Sequence, residues 1–410
     1  MANAVCRSCS YPLRHLFVDL RTSPLSNNFL RPEQLNQGTP YYPLRVFVCE
    51  SCLLVQLEQF ESPQEIFEEY AYFSSYSSSW LAHAKHYVDT IIPRLSLGRS
   101  SSVVEIASND GYLLQYFSPY QIPVLGIEPA RNVAKQAEAK GVPTVSEFFT
   151  LAFAKQLAQE RGKADLIIGN NVLAHVPELQ DFAAGLKELL SPAGTLTLEF
   201  PHLLRLMKEN QFDTIYHEHF SYLSLLSVTH LFTRYGLTVY DVEEWPTHGG
   251  SLRVFVRHAE HADLAATPQV ERIINDEIGY GLQDVTTYSR FPGQVKTIKE
   301  QVYSFLFQAS RENKRVVAYG APAKGNTLLN YLGVGTDYID YAVDRNPYKQ
   351  GLFMPGSRIP VYSPSRIQET KPDYILILPW NLKEEIEQEL LHAREWGAKL
   401  VVCIPRLEIY

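Results

Sequence analysis

Two cysteine pairs constrain this chain more tightly than any other feature in it: Cys6-Arg-Ser-Cys9 and Cys49-Glu-Ser-Cys52. A zinc ion takes four thiolates in a tetrahedron, and each CxxC turn presents two sulfurs to one ion. Joining the pairs folds the start of the chain into a small module closed on a metal. Four protein sulfurs leave no open coordination position, so the metal is structural rather than catalytic. Strand-like patterns flank the second pair at 45–49 and 53–57. The segment 10–48 is longer than the roughly 15–20 residues usual between such pairs, so it must carry something of its own. A redox couple or unrelated thiols is the alternative reading. The fifth cysteine, Cys403, lies in an apolar run and reads as a buried strand residue.

A chain of 410 residues has room for two or three cores. Its net charge of −8 argues against nucleic acid or an acidic membrane surface as the main partner. No apolar run approaches the length of a bilayer span, and the first residues carry neither a basic start nor an apolar stretch. A cytoplasmic location is therefore expected, where thiols and metal sites outnumber disulfides.

From residue 102 onward apolar runs alternate with amphipathic stretches, the mark of an α/β fold with a parallel sheet. Candidate strands are 102–107, 123–128, 164–169 and 194–200. A polar, largely helical stretch at 262–313 leads to a second α/β segment with candidate strands 315–320, 338–344, 373–379 and 399–404. In each segment a strand enters a small-residue turn and a helix, and the next strand ends in an acid near proline (Glu128-Pro129; Asp344-Arg-Asn-Pro347). The expected domains are a zinc module at 1–68, a Rossmann-like unit at 69–280 and a second Rossmann-like unit at 281–410. Between the zinc module and the first strand, the stretch 69–80 is denser in Tyr and Ser, Tyr72 and Tyr76 included, than a linker needs.

The first strand and turn read Glu105-Ile106-Ala107-Ser108-Asn109-Asp110-Gly111. Small residues let a ligand approach the backbone at such a turn. A dinucleotide fingerprint needs Gly-x-Gly-x-x-Gly, and Gly111 alone survives, which tells against NAD. An acid opening the motif suits S-adenosylmethionine (SAM), whose charged amino-acid portion lies over this loop. Glu128 ends the second strand, where a carboxylate accepts hydrogen bonds from ribose hydroxyls. The bland reading makes Glu105 a solvated charge at a strand edge. Asn170, Asn171 and His175 follow the strand at 164–169. His175 is either a packed or capping histidine or a wall of a reaction chamber beyond the carboxyl ends of the strands.

Further on comes Tyr216-His217-Glu218-His219, then Tyr222. Two histidines and a carboxylate in three positions are costly to bury without purpose. Metal binding lacks a further ligand of clear spacing. General acid–base chemistry fits better, since histidine titrates near neutrality and a carboxylate beside it tunes or orients it; a hydrogen-bonded polar core is the alternative. Downstream, His248-Gly249-Gly250-Ser251 enters a strand at 251–257, and its glycines imply a close approach of backbone to a neighbour.

These motifs, together with Pro24-Leu-Ser-Asn-Asn-Phe29, Tyr72-Phe-Ser-Ser-Tyr76, His248-Gly-Gly-Ser-Leu-Arg253 and Tyr319-Gly-Ala-Pro-Ala-Lys324-Gly-Asn326-Thr327, resemble the SAM-dependent C-methyltransferases of nucleotide-linked 4-keto-deoxysugars. The resemblance covers nearly the whole chain, in order. It implies a zinc module, a class I SAM methyltransferase domain and a C-terminal Rossmann-like domain, acting on a dTDP-linked sugar at its third carbon. It further implies catalytic roles for Tyr216, Glu218 and His219, with His219 the base, and a sugar pocket lined by His175 and by Tyr76 or, as second choice, Tyr72, with His175 and Tyr76 counted among the catalytic residues as well. Tyr222, His248, Lys324 and Asn326 complete the expected substrate contacts, and Glu105 through Gly111, Glu128, Asn170 and Asn171 those to SAM. A monomer or weak oligomer is expected. Ala107 stands where the family more often has glycine; binding survives its methyl group if the local φ is negative. The turn at 320–327 holds a diphosphate through Lys324 and backbone N–H groups, or is a packing turn. Methyl transfer to oxygen or nitrogen, and a non-catalytic SAM- or nucleotide-binding protein, are the competing functions.

Overall fold

A computed structural model describes residues 4–60 and 73–410 of the chain, so Tyr72 lies outside the described residues. Three sheets, of four, seven and six strands, organise it. The first is built from β1 (His15–Ser23), β2 (Tyr42–Val48) and β3 (Val55–Leu57), all antiparallel. β2 alternates buried and half-buried residues, as a sheet with one covered face requires. The cysteine turns sit beside β2 and β3.

The second sheet begins with β4 (Val103–Ile106), β5 (Val124–Ile127), β6 (Thr144–Val145), β7 (Ala164–Asn170) and β8 (Leu190–Pro201), all mutually parallel. Every residue of β4 is buried, because helices cover both faces of a parallel sheet. One of them, Ser78–Leu95, is capped by Ser77, whose side chain accepts from Trp80 N. It turns Ala84, Tyr87, Val88, Ile91 and Ile92 inward. The chain then leaves this sheet. It forms the helix Leu203–Lys208 and the 3-10 turn Phe212–Thr214, then adds β9 (Ser221–Tyr222) to β3 of the first sheet. It returns through the helix Leu225–Thr233 to β10 (Leu237–Trp245) and β11 (Ser251–His258), which complete the order β10-β11-β8-β7-β4-β5-β6. The loop 212–222 is thus strung between two sheets.

After helices at Pro268–Tyr280 and Phe291–Arg311 comes the third sheet, with β12 (Val316–Tyr319), β13 (Ala342–Val343), β14 (Val361–Tyr362), β15 (Tyr374–Ile377), β16 (Lys399–Val402) and β17 (Glu408–Ile409) in the order β14-β13-β12-β15-β16-β17. β13 is shorter than the expected 338–344, because the N–H groups of Tyr338 and Ile339 close a turn on the Gly335 carbonyl instead. The unexpected strand β10 carries a bulge between Val239 and Asp241, which breaks the period-two pattern that would have announced it.

A continuous apolar cluster runs from Phe17, Val46 and Val55 through Leu203, Phe212 and Ile215 to Phe291, Leu328 and Leu376. The zinc module, the 203–215 excursion and the third sheet therefore share one core. Among the described residues, no helix is long and apolar enough to cross a membrane.

Candidate active site

In the second sheet the chain order runs one way from β4 through β5 to β6 and the other way through β7 to β8. The crevice beyond the carboxyl end of β4 is the switch point where open α/β sheets bind ligands. Glu105, near the end of β4, is fully buried, and neither of its oxygens meets a hydrogen-bond donor at bonding geometry. Its solvated-edge reading is therefore excluded. Burial drives its carboxyl well above the usual range. The neighbouring Tyr112 hydroxyl accepts from Asn170 Nδ2 at 3.3 Å. A buried carboxyl whose polar neighbour is a tyrosine hydroxyl, with no charge to match it, is a fit for an ammonium group, so the crevice suits the amino-acid end of SAM. At the end of β5, Glu128 accepts from Asn109 N at 3.0 Å and Ala130 N at 2.9 Å, one bond to each oxygen. Each oxygen keeps a second lone pair for a hydroxyl.

The turn between them is held from outside. Asn109 Oδ1 accepts from Ser74 N at 2.9 Å, and Lys140 Nζ bridges Asp110 Oδ2 at 2.9 Å and Ser75 Oγ at 2.6 Å. Ser108 fills the place that a side chain on Gly126 would need, with Oγ 2.4 Å from an ideal Cβ there. Gly111 has φ +75°. Ala107 has φ +55°, so the condition of a negative φ fails. An L-residue in the left-handed region carries a cost of about 1 kcal/mol, and the turn accepts it.

Beyond β7, Asn171 (φ +53°) donates from Nδ2 to His248 Nε2 at 2.6 Å, which ties this loop to the one before β11. Burial first, then the charge of Lys324, lowers His248 to about 4. Trp80 closes over this region, with ring centroids 5.3 Å from His248 and 5.9 Å from Tyr112. Sequence reasoning missed a buried charge network beneath it. Glu199 of β8 meets His83 Nε2 at 2.9 Å, Arg253 at 2.6 Å and Thr247 Oγ1 at 2.8 Å. Burial alone would raise Glu199; the His83 bond and the Arg253 charge reverse that and hold it at about 2. Charge alternation across β8 and β11 does not show in either strand separately.

The excursion 212–222 gathers the remaining candidates. His219 Nδ1 lies 2.9 Å from the Thr214 carbonyl, which can only accept, so Nδ1 carries the proton. The lone pair is then on Nε2, where the Tyr216 hydroxyl donates at 2.8 Å. The His175 ring stands edge-on to His219 at 4.7 Å, and Tyr222, on β9, at 6.4 Å. Burial, followed by the neighbouring His175, pushes His219 well below its ordinary value. Burial likewise lowers His175 to about 4, against a hydrogen bond to the Glu218 carbonyl. All three histidines facing this pocket are therefore neutral at pH 7. Glu218 accepts from Asn27 Nδ2 at 2.6 Å, and burial raises it to about 7, against Asn27 and the charge of Lys349. Burial also raises the Tyr222 hydroxyl.

The third sheet supports this loop directly. Trp380 Nε1 donates to Asp213 Oδ2 at 2.7 Å, and Thr327 Oγ1 to the Ile215 carbonyl at 3.0 Å. Burial lifts Asp213 to about 6. Gly249 (φ +92°) admits the Trp380 ring, which an added Cβ would meet at 2.4 Å. Lys324 donates to Asn381 Oδ1 at 2.7 Å with its ammonium 4.4 Å from the Trp380 ring centre, and burial lowers it to about 8. Asn326 is fully buried and donates to the Ser26 carbonyl at 2.6 Å. Tyr76 is set apart from the histidines: it is 61% exposed, packs on Phe73, and interacts with Tyr348 of the third sheet.

The sulfurs of Cys6, Cys9, Cys49 and Cys52 all lie within 4.8 Å of one another. Cys6 and Cys52, and likewise Cys9 and Cys49, approach to 3.5 Å, as expected of thiolates sharing one tetrahedral ion. Gln56 Nε2 donates to Cys6 Sγ at 3.1 Å while its oxygen accepts from Arg7 N at 2.9 Å, an outer contact that orients the ligand.

Three family models match the chain in succession: "Putative zinc binding domain" at 6–67, "Methyltransferase domain" at 80–242 and "C-methyltransferase C-terminal domain" at 246–405. The C-methyltransferase NovU of Streptomyces niveus is 36% identical over 400 residues, covering 98% of this chain and 95% of that protein. Among solved structures, a SAM-dependent methyltransferase from Anabaena variabilis is 15% identical, with a TM-score of 0.37, covering 44% of this chain and 86% of that one. The PH0226 protein from Pyrococcus horikoshii is 14% identical, with a TM-score of 0.38, covering 48% and 99%.

Proposed function

Because the chain belongs to the SAM-dependent C-methyltransferases, we propose that its acceptor is the carbon next to the keto group of a dTDP-linked 4-keto-deoxysugar, the third carbon of the ring. The observation that carries this reading is the half-buried Thr214–His219–Tyr216 chain, which leaves a neutral imidazole with its lone pair on Nε2. A carbon has no lone pair to offer, so a proton must leave first. A keto group makes the adjacent C–H acidic because the electron pair spreads onto oxygen. Methyl transfer to oxygen or nitrogen asks for no such carbon acid.

In this reading Glu105 holds the ammonium of SAM and Glu128 its ribose hydroxyls, with Ala107, Ser108, Asn109, Asp110, Gly111, Asn170 and Asn171 lining the crevice between them. SAM, when bound, supplies an electrophilic methyl group on a sulfonium sulfur. His219 Nε2 takes the α-proton of the sugar. The Tyr216 hydroxyl, released from that lone pair once the proton arrives, donates to the enolate oxygen, while His175, its N–H held by the Glu218 carbonyl, walls the pocket beside it. Glu218 orients the loop that carries them. Tyr222 and His248 face the sugar and Lys324 lies toward its nucleotide, whereas Asn326, fully buried and bonded to the Ser26 carbonyl, braces the turn rather than meeting the substrate as expected. Tyr76, on its exposed turn, covers the entrance.

Mass spectrometry of the protein with SAM and a panel of 4-keto-deoxysugar nucleotides tests the substrate. The expected product gains one methylene on carbon. A panel without turnover, in protein that still binds SAM, overturns the assignment.

A further inference from the structure

We propose that Asn27, carried by the segment between the two cysteine pairs, is a positioning residue that fixes Glu218 and favours its carboxylate form. The inference rests on the proposed catalytic role of the 216–219 loop. The two residues are 191 positions apart, yet the Asn27 amide reaches the carboxyl at 2.6 Å. The segment that presents it is held at several places. Asn326 donates to the Ser26 carbonyl at 2.6 Å, Leu30 and Phe353 exchange backbone hydrogen bonds of 2.9 and 2.8 Å, and the Lys349 ammonium lies 5.4 Å from the Phe29 ring centre. The segment on either side of Asn27 is therefore anchored to the C-terminal unit, and Asn27 itself, on the exposed side of that segment, reaches in to the 216–219 loop.

The zinc module thus does more than cap the fold, because the long segment between its metal ligands delivers a donor to the chemistry. A buried carboxyl with no donor holds its proton; a charge-assisted amide hydrogen bond favours the ionised form. The other groups facing Glu218 are few. Lys349 acts on it through its charge from the third sheet, and the His175 ring bonds its main-chain carbonyl. His219 follows it on the same loop. A lysine or arginine at position 27 would lock the carboxylate. A neutral amide leaves it titratable near neutrality, where a group that tunes a neighbouring base is of use.

The test uses the full-length, zinc-loaded protein and the pH dependence of α-proton exchange and of methyl transfer. In Asn27→Leu the acidic limb should move upward by about one pH unit, a loss of about tenfold at pH values below it, with the alkaline plateau and KM within about twofold of wild type. Asn27→Asp, an isosteric change, should move the limb the same way if the leucine variant folds poorly. A merely structural role would lower the plateau and the melting temperature without moving the limb. Limbs unmoved in both variants overturn the proposal. A substrate-free reading comes from ¹³C NMR of carboxyl-labelled glutamate, with Glu218 assigned through Glu218→Gln. An unmoved Glu218 titration sinks the Asn27 proposal, whereas a wild type that exchanges no α-proton sinks the keto-sugar reading.

Discussion

The second and third sheets present the same turn and do opposite things with it. In each, a central strand (β4 or β12) has neighbours that diverge in chain order, so each sheet has a switch-point crevice. The second sheet leaves its crevice open: the Glu105 carboxyl is buried with no counter-charge beside it, and the Glu128 oxygens each keep an acceptor site. The third sheet fills its own. Asp344, the counterpart of Glu128, accepts the same pair of main-chain bonds, from Ala321 N and Asn346 N at 2.8 Å, but its Oδ2 is also paired with the Lys349 ammonium at 3.7 Å. Lys349 donates to the Ala321 carbonyl at 2.8 Å, and Pro379 occupies the space beside Gly320, 2.6 Å from where a Cβ would stand. An open crevice over a buried carboxyl, which ionises there only against a counter-charge, calls for a cationic ligand. A crevice closed by its own side chains has become a support, and what it supports is the loop that carries His219.

The widest break between the two is expected on neutralising their acids. Glu105→Gln should weaken SAM binding by roughly a thousandfold, about 4 kcal/mol, because it leaves the ligand's ammonium in a buried site without its charge partner. Asp344→Asn should leave SAM affinity within about twofold and lower the melting temperature instead. Isothermal titration calorimetry and thermal melts on both variants read the contrast directly. Equal losses of SAM affinity would mean that the two crevices are not functionally distinct.

The support itself can be probed at Asp213, where Trp380, in the turn after β15, meets the loop that carries His219. Burial raises this carboxyl from 3.8 to about 6. The native state therefore binds more protons than the unfolded chain between those values, and stability falls as pH rises from about 4 to about 6. Asp213→Asn keeps an acceptor for Trp380 and removes the titration. The variant should match wild type below pH 4 and exceed it by about 2–3 kcal/mol above pH 6, with SAM affinity unchanged. Denaturant melts across that range check it. A wild type whose stability is flat there would contradict the buried, raised carboxyl.

The contrast also marks what the sequence could tell. The α/β class, the cysteine cluster and the strands carrying Glu105 and Glu128 were legible because they depend on local pattern: an apolar run, a CxxC spacing, an acid at a strand end. The Tyr216–His219 segment stood out for its density of titratable groups. Its partners did not, because each comes from a distant part of the chain. Asn27, Asp213 and Trp380 are ordinary residues until the fold sets them beside one another, and Glu199 becomes part of a network only when β11 brings Arg253 alongside β8. The reason for Gly249 was equally hidden, since the Trp380 ring that needs the space belongs to another sheet. The sequence also carries no direct statement of φ, and at Ala107 that mattered.

Ala107 offers the finest test of the open turn. Its φ of +55° places a methyl group in the left-handed region, next to Asn109 at +49° and Gly111 at +75°. The third-sheet turn meets the same demand with glycine at Gly320, φ +81°. If Ala107 is strained, Ala107→Gly should relieve about 1 kcal/mol of steric cost, offset in part by the greater freedom of glycine in the unfolded chain. The net expectation is a melting temperature equal to wild type or higher by a few degrees, with SAM affinity within about twofold. That outcome would show the conformation to be imposed by the contacts holding the turn, from Ser74 and Lys140, rather than chosen by the residue itself. A clear loss of stability would mean instead that the methyl group packs well enough to outweigh its backbone strain.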